Sequence, residues 1–185
     1  VRNLSDLQGL KVHVRPGPST EAFRMVGASP VNMPAPDLYD AVEKGVLDGG
    51  TMPWGAILSF RLYEVFRYRT VESPLMNLLF IIMNREKWNS LPPDIQQAIM
   101  SVSGVQGAAI ASANHGFNEG AEALEIMKKA GKVMEEVHLD PGEYEKWQGI
   151  AGKPLWDKYV AELEAKGLAG KKVLERLLAI REKYK

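Results

Sequence analysis

PVNMPAPDLYDAVEKGVLDGGTMPW, residues 30–54, carries a strand, a turn, a helix, a second turn and a terminal aromatic in one short unit. Pro30 to Met33 reads as a short strand. Pro34 and Pro36 stop it, because proline fixes φ and removes the amide donors a ladder needs. A helix then starts on Pro36, a residue suited to a first turn, and Asp37 sets a carboxylate near the positive end of the dipole. Leu38, Ala41, Val42 and Val46 give that helix one apolar face. Gly45 weakens its last turn, and Leu47-Asp48-Gly49-Gly50 turns the chain so that Thr51, Met52, Pro53 and Trp54 emerge at the edge of an element, where ligands sit.

Upstream, Leu10 to Val14 has β-branched residues at alternate positions and predicts a strand ended by Arg15-Pro16-Gly17-Pro18. Ser19 or Thr20 caps a helix through Val26, with Gly27 as its stop. With a further strand near 47–52, the alternation predicts an open α/β sheet whose sites lie at the carboxyl ends of its strands. His13, Arg15, Ala35 and Thr51 to Trp54 fall at such ends. Downstream, residues 55–66 read as a helix and 68–71 as a short strand. Leu75 to Met83 is nearly all apolar, as in a strand buried on both faces. Asn84 caps a helical piece. From Asp94 to Ala130 apolar residues recur at helical spacing without a proline, which predicts a spine helix of roughly 55 Å. Gly104, Gly107, Gly116 and Gly120 within it permit close packing or a bend. Gly131 ends it, a strand follows to Val137, and helices are expected near 141–149, 153–166 and 170–183.

Composition excludes several classes. Lys plus Arg and Asp plus Glu both number 23, so no basic excess is available for nucleic acid. Absence of cysteine removes disulfides, thiolate metal sites and thiol nucleophiles. Neither His115 nor His138 has a second histidine at helical spacing, so no metal site and no cofactor are expected. No apolar run approaches the roughly 20 residues of a membrane span. The chain opens on Val1 without a charged-then-apolar leader, which predicts a processed or trimmed product whose export signal is gone.

Four segments, in order, carry a family resemblance: LSDLQGLKV at 4–12, MVGASPVNMPAPDLYDAVEKGVLDG at 25–49, YEVFRY at 63–68 and IIMNREKWNSLPPDIQQAI at 81–99. Together they resemble the periplasmic solute receptors of TRAP transporters, the DctP type. The resemblance spans about the whole chain. It implies an α/β fold of the periplasmic-binding-protein type II-like class, with two lobes closing on a small organic acid and a long spine helix. It further implies that residues 1–78 belong to the second lobe, that 79–118 return to the first lobe and begin the spine, and that 119–185 complete the second. The N-terminal part of the first lobe would precede Val1. The strand Leu78 to Met83 would then need a missing lobe segment or a second chain to cover it. The partners implied are the organic acid and the membrane subunits of a TRAP permease, and the compartment is the periplasm.

In that family an arginine at the second residue after GlK grips the ligand carboxylate, since a guanidinium fork matches a carboxylate with two charge-assisted hydrogen bonds. This chain has His13 there. Arg15 lies two residues on and by period two shares its face. Either residue serves the ligand, or Arg15 is a solvated strand-end charge and His13 a satisfied, half-buried histidine. The family's aromatic near Ala35 and asparagine near Met52 are absent. Thr51-Met52-Pro53-Trp54 stands instead, with Trp54 as a cleft wall or as packing against Phe60. These changes favour a ligand with fewer hydroxyls than a sugar acid, an aromatic or branched organic acid. Asn77 meets ligand or a neighbouring backbone. The ligand-binding candidates are therefore His13, Arg15, Thr51, Met52, Trp54 and Asn77. No nucleophile elbow, P-loop, GxGxxG or paired-carboxylate motif accompanies them, so a binding protein without turnover is expected. The alternatives are an enzyme acting on a small carboxylate through His13 and a non-binding truncated adaptor.

Overall fold

A computed structural model describes residues 1–72, 80–115 and 119–183. Its first unit is a three-stranded parallel sheet in the order β2-β1-β3, with β1 at Lys11–His13, β2 at Ser29–Val31 and β3 at Gly49–Gly50. Helix α1, Pro18–Met25, joins β1 to β2, and α2, Leu38–Glu43, joins β2 to β3 after a 3₁₀ turn at Ala35–Asp37. The open α/β alternation expected from residues 10–52 is what forms. Proline at the first position starts α1, and Gly27 at φ +88° closes the turn that follows it, a backbone conformation glycine adopts without steric cost.

Helix α3, Trp54–Ser59, and a 3₁₀ turn at Leu62–Glu64 lead to β4, Tyr68–Thr70. That strand pairs in parallel with a distant one, β5 at Glu135–Val137, with Arg69 opposite Glu136. Among the described residues three apolar clusters hold these parts together. Leu7, Val12, Val14 and Phe23 pack with Trp147 and Leu155 of the C-terminal helices α8, Glu143–Trp147, and α9, Lys153–Ala165. The Phe23 and Trp147 rings meet edge to face at 5.1 Å. Leu38, Ala41, Leu47 and Leu62 form the second cluster. Ala123 and Met127 of α7, Glu119–Lys129, form the third with Met134. Helix α10, Gly170–Lys183, packs on α9.

The spine differs from its sequence expectation. The helix expected over 94–130 is interrupted between α5, Pro93–Ser101, and α6, Gly104–His115; α7 lies beyond residues 116–118, which are outside the described residues. At that interruption the Ser103 hydroxyl donates to the Ile99 carbonyl at 2.6 Å, an oxygen that also accepts the Val102 amide at 3.3 Å. Gly104 then adopts φ +65°, opposite in sign to a helical residue. Asn84 caps α4, Arg85–Asn89, as expected, its side-chain oxygen accepting from the amides of Glu86 and Lys87.

The buried strand expected over Leu75 to Met83 falls partly outside the described residues. Its remainder, Phe80–Met83, pairs with no strand among the described residues and is exposed, Ile81 completely. Helix α5 likewise has no buried residue, with Ile95 and Met100 exposed.

Candidate functional site

Parallel pairing puts the carboxyl ends of β1, β2 and β3 at one edge of the sheet, the edge where open α/β folds bind ligands. A cavity of about 750 Å³ opens there and runs on to β4. Arg15, Thr51, Met52 and Trp54 all line it, so the structure brings four of the six candidates together. Asn77 lies outside the described residues.

His13 is not on that wall. Its side chain is buried, at 5% exposure, and its Nε2 lies 3.2 Å from the Met33 carbonyl oxygen. The two-residue period that put it beside Arg15 fails because β1 ends at His13. Burial lowers the imidazole pKa, the Arg15 charge lowers it further, and the Met33 carbonyl opposes both. The neutral ring donates Nε2–H to Met33 and leaves Nδ1 a buried acceptor without a partner. Gly50, opposite His13 in the register, provides the space: a Cβ there would stand 3.3 Å from the His13 Cβ.

Thr51 is committed to the backbone. Its amide donates to the His13 carbonyl at 2.9 Å and its hydroxyl lies 3.4 Å from the same oxygen. Met52 packs against the Leu38, Leu47 and Leu62 cluster while reaching the cavity. Trp54 has a different neighbour from the one expected. It lines the cavity, and it packs against Ala123, Met127 and Met134 rather than against Phe60, which belongs to the other cluster. Gly120 of α7 makes that possible, since a Cβ there would stand 2.9 Å from the indole Nε1. The close packing expected of the glycines in this region is met at Gly120.

Arg69 was not legible as a site residue. It lines the same cavity, with its guanidinium carbon 5.2 Å from the centre of the Trp54 ring and its Nη2 paired to Glu136. Its Nε is buried without a hydrogen-bond partner. Both neighbours are remote in sequence. The one available signal was a charged residue at the centre of a short strand, which has to be partnered wherever that strand is covered.

Charged side chains of both signs line the cavity. Arg15, Arg67 and Arg69 stand on its wall with Asp48 and Glu72. Both carboxylates are already engaged. Asp48 accepts the Lys11 amide at 2.8 Å, and Glu72 accepts the Leu139 amide at 3.0 Å and meets His138 Nδ1 at 2.8 Å. The His138 contact, then the Leu139 amide, pull the Glu72 pKa down to about 2. Among the described residues Arg15 and Arg67 have no ion pair. Among the described residues no group of three or more metal-ligating side chains occurs and no helix is long and apolar enough to cross a membrane.

Comparison with known proteins gives a consistent picture. The model for bacterial extracellular solute-binding protein, family 7 (DctP), matches residues 1–163. A Haemophilus influenzae protein is 32% identical over 136 residues, covering 73% of this chain and 41% of its own length. The 2,3-diketo-L-gulonate-binding periplasmic protein YiaO of Escherichia coli is 29% identical over 102 residues, 55% of this chain and 31% of its own. A solved structure of a marine metagenome TRAP solute binding protein specific for aromatic acid ligands, in complex with 3-hydroxybenzoate, superposes with a TM-score of 0.80 at 26% identity. It covers 100% of this chain and 57% of that one. The chain thus spans about half the length of the proteins it matches, and it shares the two-lobed periplasmic-binding-protein fold.

Proposed function

This chain belongs to the bacterial extracellular solute-binding proteins of family 7, a family of receptors rather than enzymes, and we propose that it binds a small organic acid for delivery to a TRAP permease. The observation that carries this reading is Arg15, a guanidinium without an ion pair among the described residues, at the carboxyl edge of a parallel sheet and on the wall of a 750 Å³ cavity. A guanidinium so placed suits a carboxylate, and the carboxylates beside it are already occupied. The relatives support the ligand class, one being named for a keto sugar acid and one structure holding 3-hydroxybenzoate. With Met52 and Trp54 on the wall, the ligand we favour is an aromatic or branched acid. His13 acts beneath the site by fixing the strand end, and Thr51 does so through its backbone bonds. The protein works in the periplasm without turnover: His13, the residue on which catalysis would rest, contacts a backbone carbonyl.

Residues 1–78 and 119–185 form the second lobe in this reading, and 79–118 return to the first. The exposure of Phe80–Met83 and α5 supports the division, because contiguous apolar surface of this kind marks a covered face in the assembled molecule. A first-lobe segment or a second chain covers it.

Thermal unfolding of the full-length protein against benzoate, 3-hydroxybenzoate, malonate and a sugar acid tests the reading. An acid at 100 times its Kd adds about 2.7 kcal/mol of apparent stability. Arg15→Met should weaken that acid by roughly 10- to 100-fold, the loss of a charge-assisted pair, with little change in the unliganded protein. If no acid in the panel shifts the transition, the reading fails.

A further inference from the structure

Arg69 has a geometry that its ion pair does not explain. It sits at the centre of β4, opposite Glu136 of β5, and a guanidinium placed only to meet that carboxylate would use the two-point fork of Nε and Nη together. Here Nη2 alone meets Glu136, and Nε is left buried without an acceptor. What the orientation gains is the guanidinium over the Trp54 ring, 5.2 Å from its centre, within the range of a cation–π contact. Gly120 closes the edge of the same ring at Nε1. Trp54 is therefore held by a cation on its face and by a helix backbone at its edge, and the rest of the indole stands on the cavity wall.

We propose that Arg69 is a specificity-determining residue that positions Trp54 as a fixed, flat wall, so that the cavity selects carboxylates borne on a planar ring over aliphatic ones. A flat ligand ring gains from a flat wall only if that wall keeps its orientation, because an indole free to turn must be ordered at each binding event. Arg15 supplies the carboxylate contact common to both kinds of acid, and Arg69 with Trp54 supplies the discrimination. The inference rests on the receptor reading above and adds the ligand class to it.

The test uses the full-length protein labelled with 5-fluorotryptophan, the Trp54 fluorine resonance being assigned by its loss in Trp54→Phe. Calorimetric titrations with benzoate and with malonate are run on the wild type, Arg69→Gln, Arg69→Lys and Glu136→Gln. The wild type should prefer benzoate. Arg69→Gln should weaken benzoate by about tenfold, leave malonate within about twofold, and shift the Trp54 resonance before any ligand is added. Arg69→Lys, which keeps the cation without the flat fork, should fall between the two. Glu136→Gln, at a half-exposed site, should loosen Arg69 and move both readouts in the same direction by less, and it carries the test if Arg69→Gln does not fold. Equal losses for the two acids, an unchanged benzoate affinity or an unmoved Trp54 resonance would overturn the inference. A wild type that binds malonate as well as benzoate, or that binds only the sugar acid of the panel above, overturns it alone, whereas a wild type that binds none of the four acids overturns the receptor reading with it.

Discussion

Gly120→Ala sets two measurable effects against each other at the wall of the cavity. Alanine in place of glycine inside a helix contributes about 1 kcal/mol through propensity alone. Against it, the new Cβ would stand 2.9 Å from Trp54 Nε1 and 3.3 Å from Cδ1, where unstrained heavy-atom contacts sit at about 3.5–4.0 Å. The indole must move by roughly half an ångström. It cannot do so freely, because Arg69 lies over its face and the Ala123, Met127 and Met134 cluster packs against it. Overpacking of this kind costs about 1–3 kcal/mol, so the expected net change is a loss of about 1 kcal/mol. Urea unfolding followed by far-UV circular dichroism reads it as a lower midpoint at unchanged slope. Gly149→Ala is the control, since no atom lies within 4 Å of its Cβ position, and it should stabilise by about 0.5–1 kcal/mol. Adding Trp54→Phe to Gly120→Ala should recover about 1 kcal/mol beyond additivity, because the smaller ring vacates the contested space. Were Gly120→Ala to stabilise as much as Gly149→Ala, the close packing of α7 on Trp54 would be refuted.

Three further outcomes follow from the core and from the titrating groups. Leu62, completely buried in the cluster under the 51–54 segment, should cost about 2–5 kcal/mol when cut to alanine, read from the same urea midpoints. Glu72 has a folded pKa of about 2 against an ordinary 4.5, so its contribution is present above pH 4.5 and is lost as pH falls toward 2. Glu72→Gln should flatten stability against pH across that window, and an unchanged acid slope would count against the His138 and Leu139 contacts. His13 carries the same sign at higher pH: its folded pKa lies below the ordinary 6.5, so its contribution is present above pH 6.5 and is lost as pH falls below it. An imidazole NMR titration should give a midpoint under 6.5, and a midpoint above it would mean that the ring is not buried beneath the strand end.

Much of the fold was legible because its signals are local. Prolines at 34 and 36 and the glycine at 27 stop and start elements through their own backbone preferences, whatever surrounds them. Apolar periodicity then placed α2, α9 and α10 close to where they form. The spine was misread for a reason periodicity cannot register. Apolar spacing continues through Val102 and Val105, but where the helix is interrupted a serine hydroxyl reaches the Ile99 carbonyl and a glycine takes positive φ.

At the site, sequence order alone put Arg15, Thr51, Met52 and Trp54 at strand ends, since a β-α-β alternation dictates which residues lie at the carboxyl edge of a parallel sheet. Only the tertiary structure separated His13 from Arg15, because a period of two holds just as long as the strand does, and β1 stops at His13. Likewise only the tertiary structure brought Arg69 onto Trp54. Their contact depends on β4 pairing with β5 and on Gly120 letting α7 approach, and α7 and β5 both lie far from β4 along the chain. Backbone preferences act within a few residues and can be read in order, whereas the packing that aims a side chain is set by neighbours that the order of residues does not reveal.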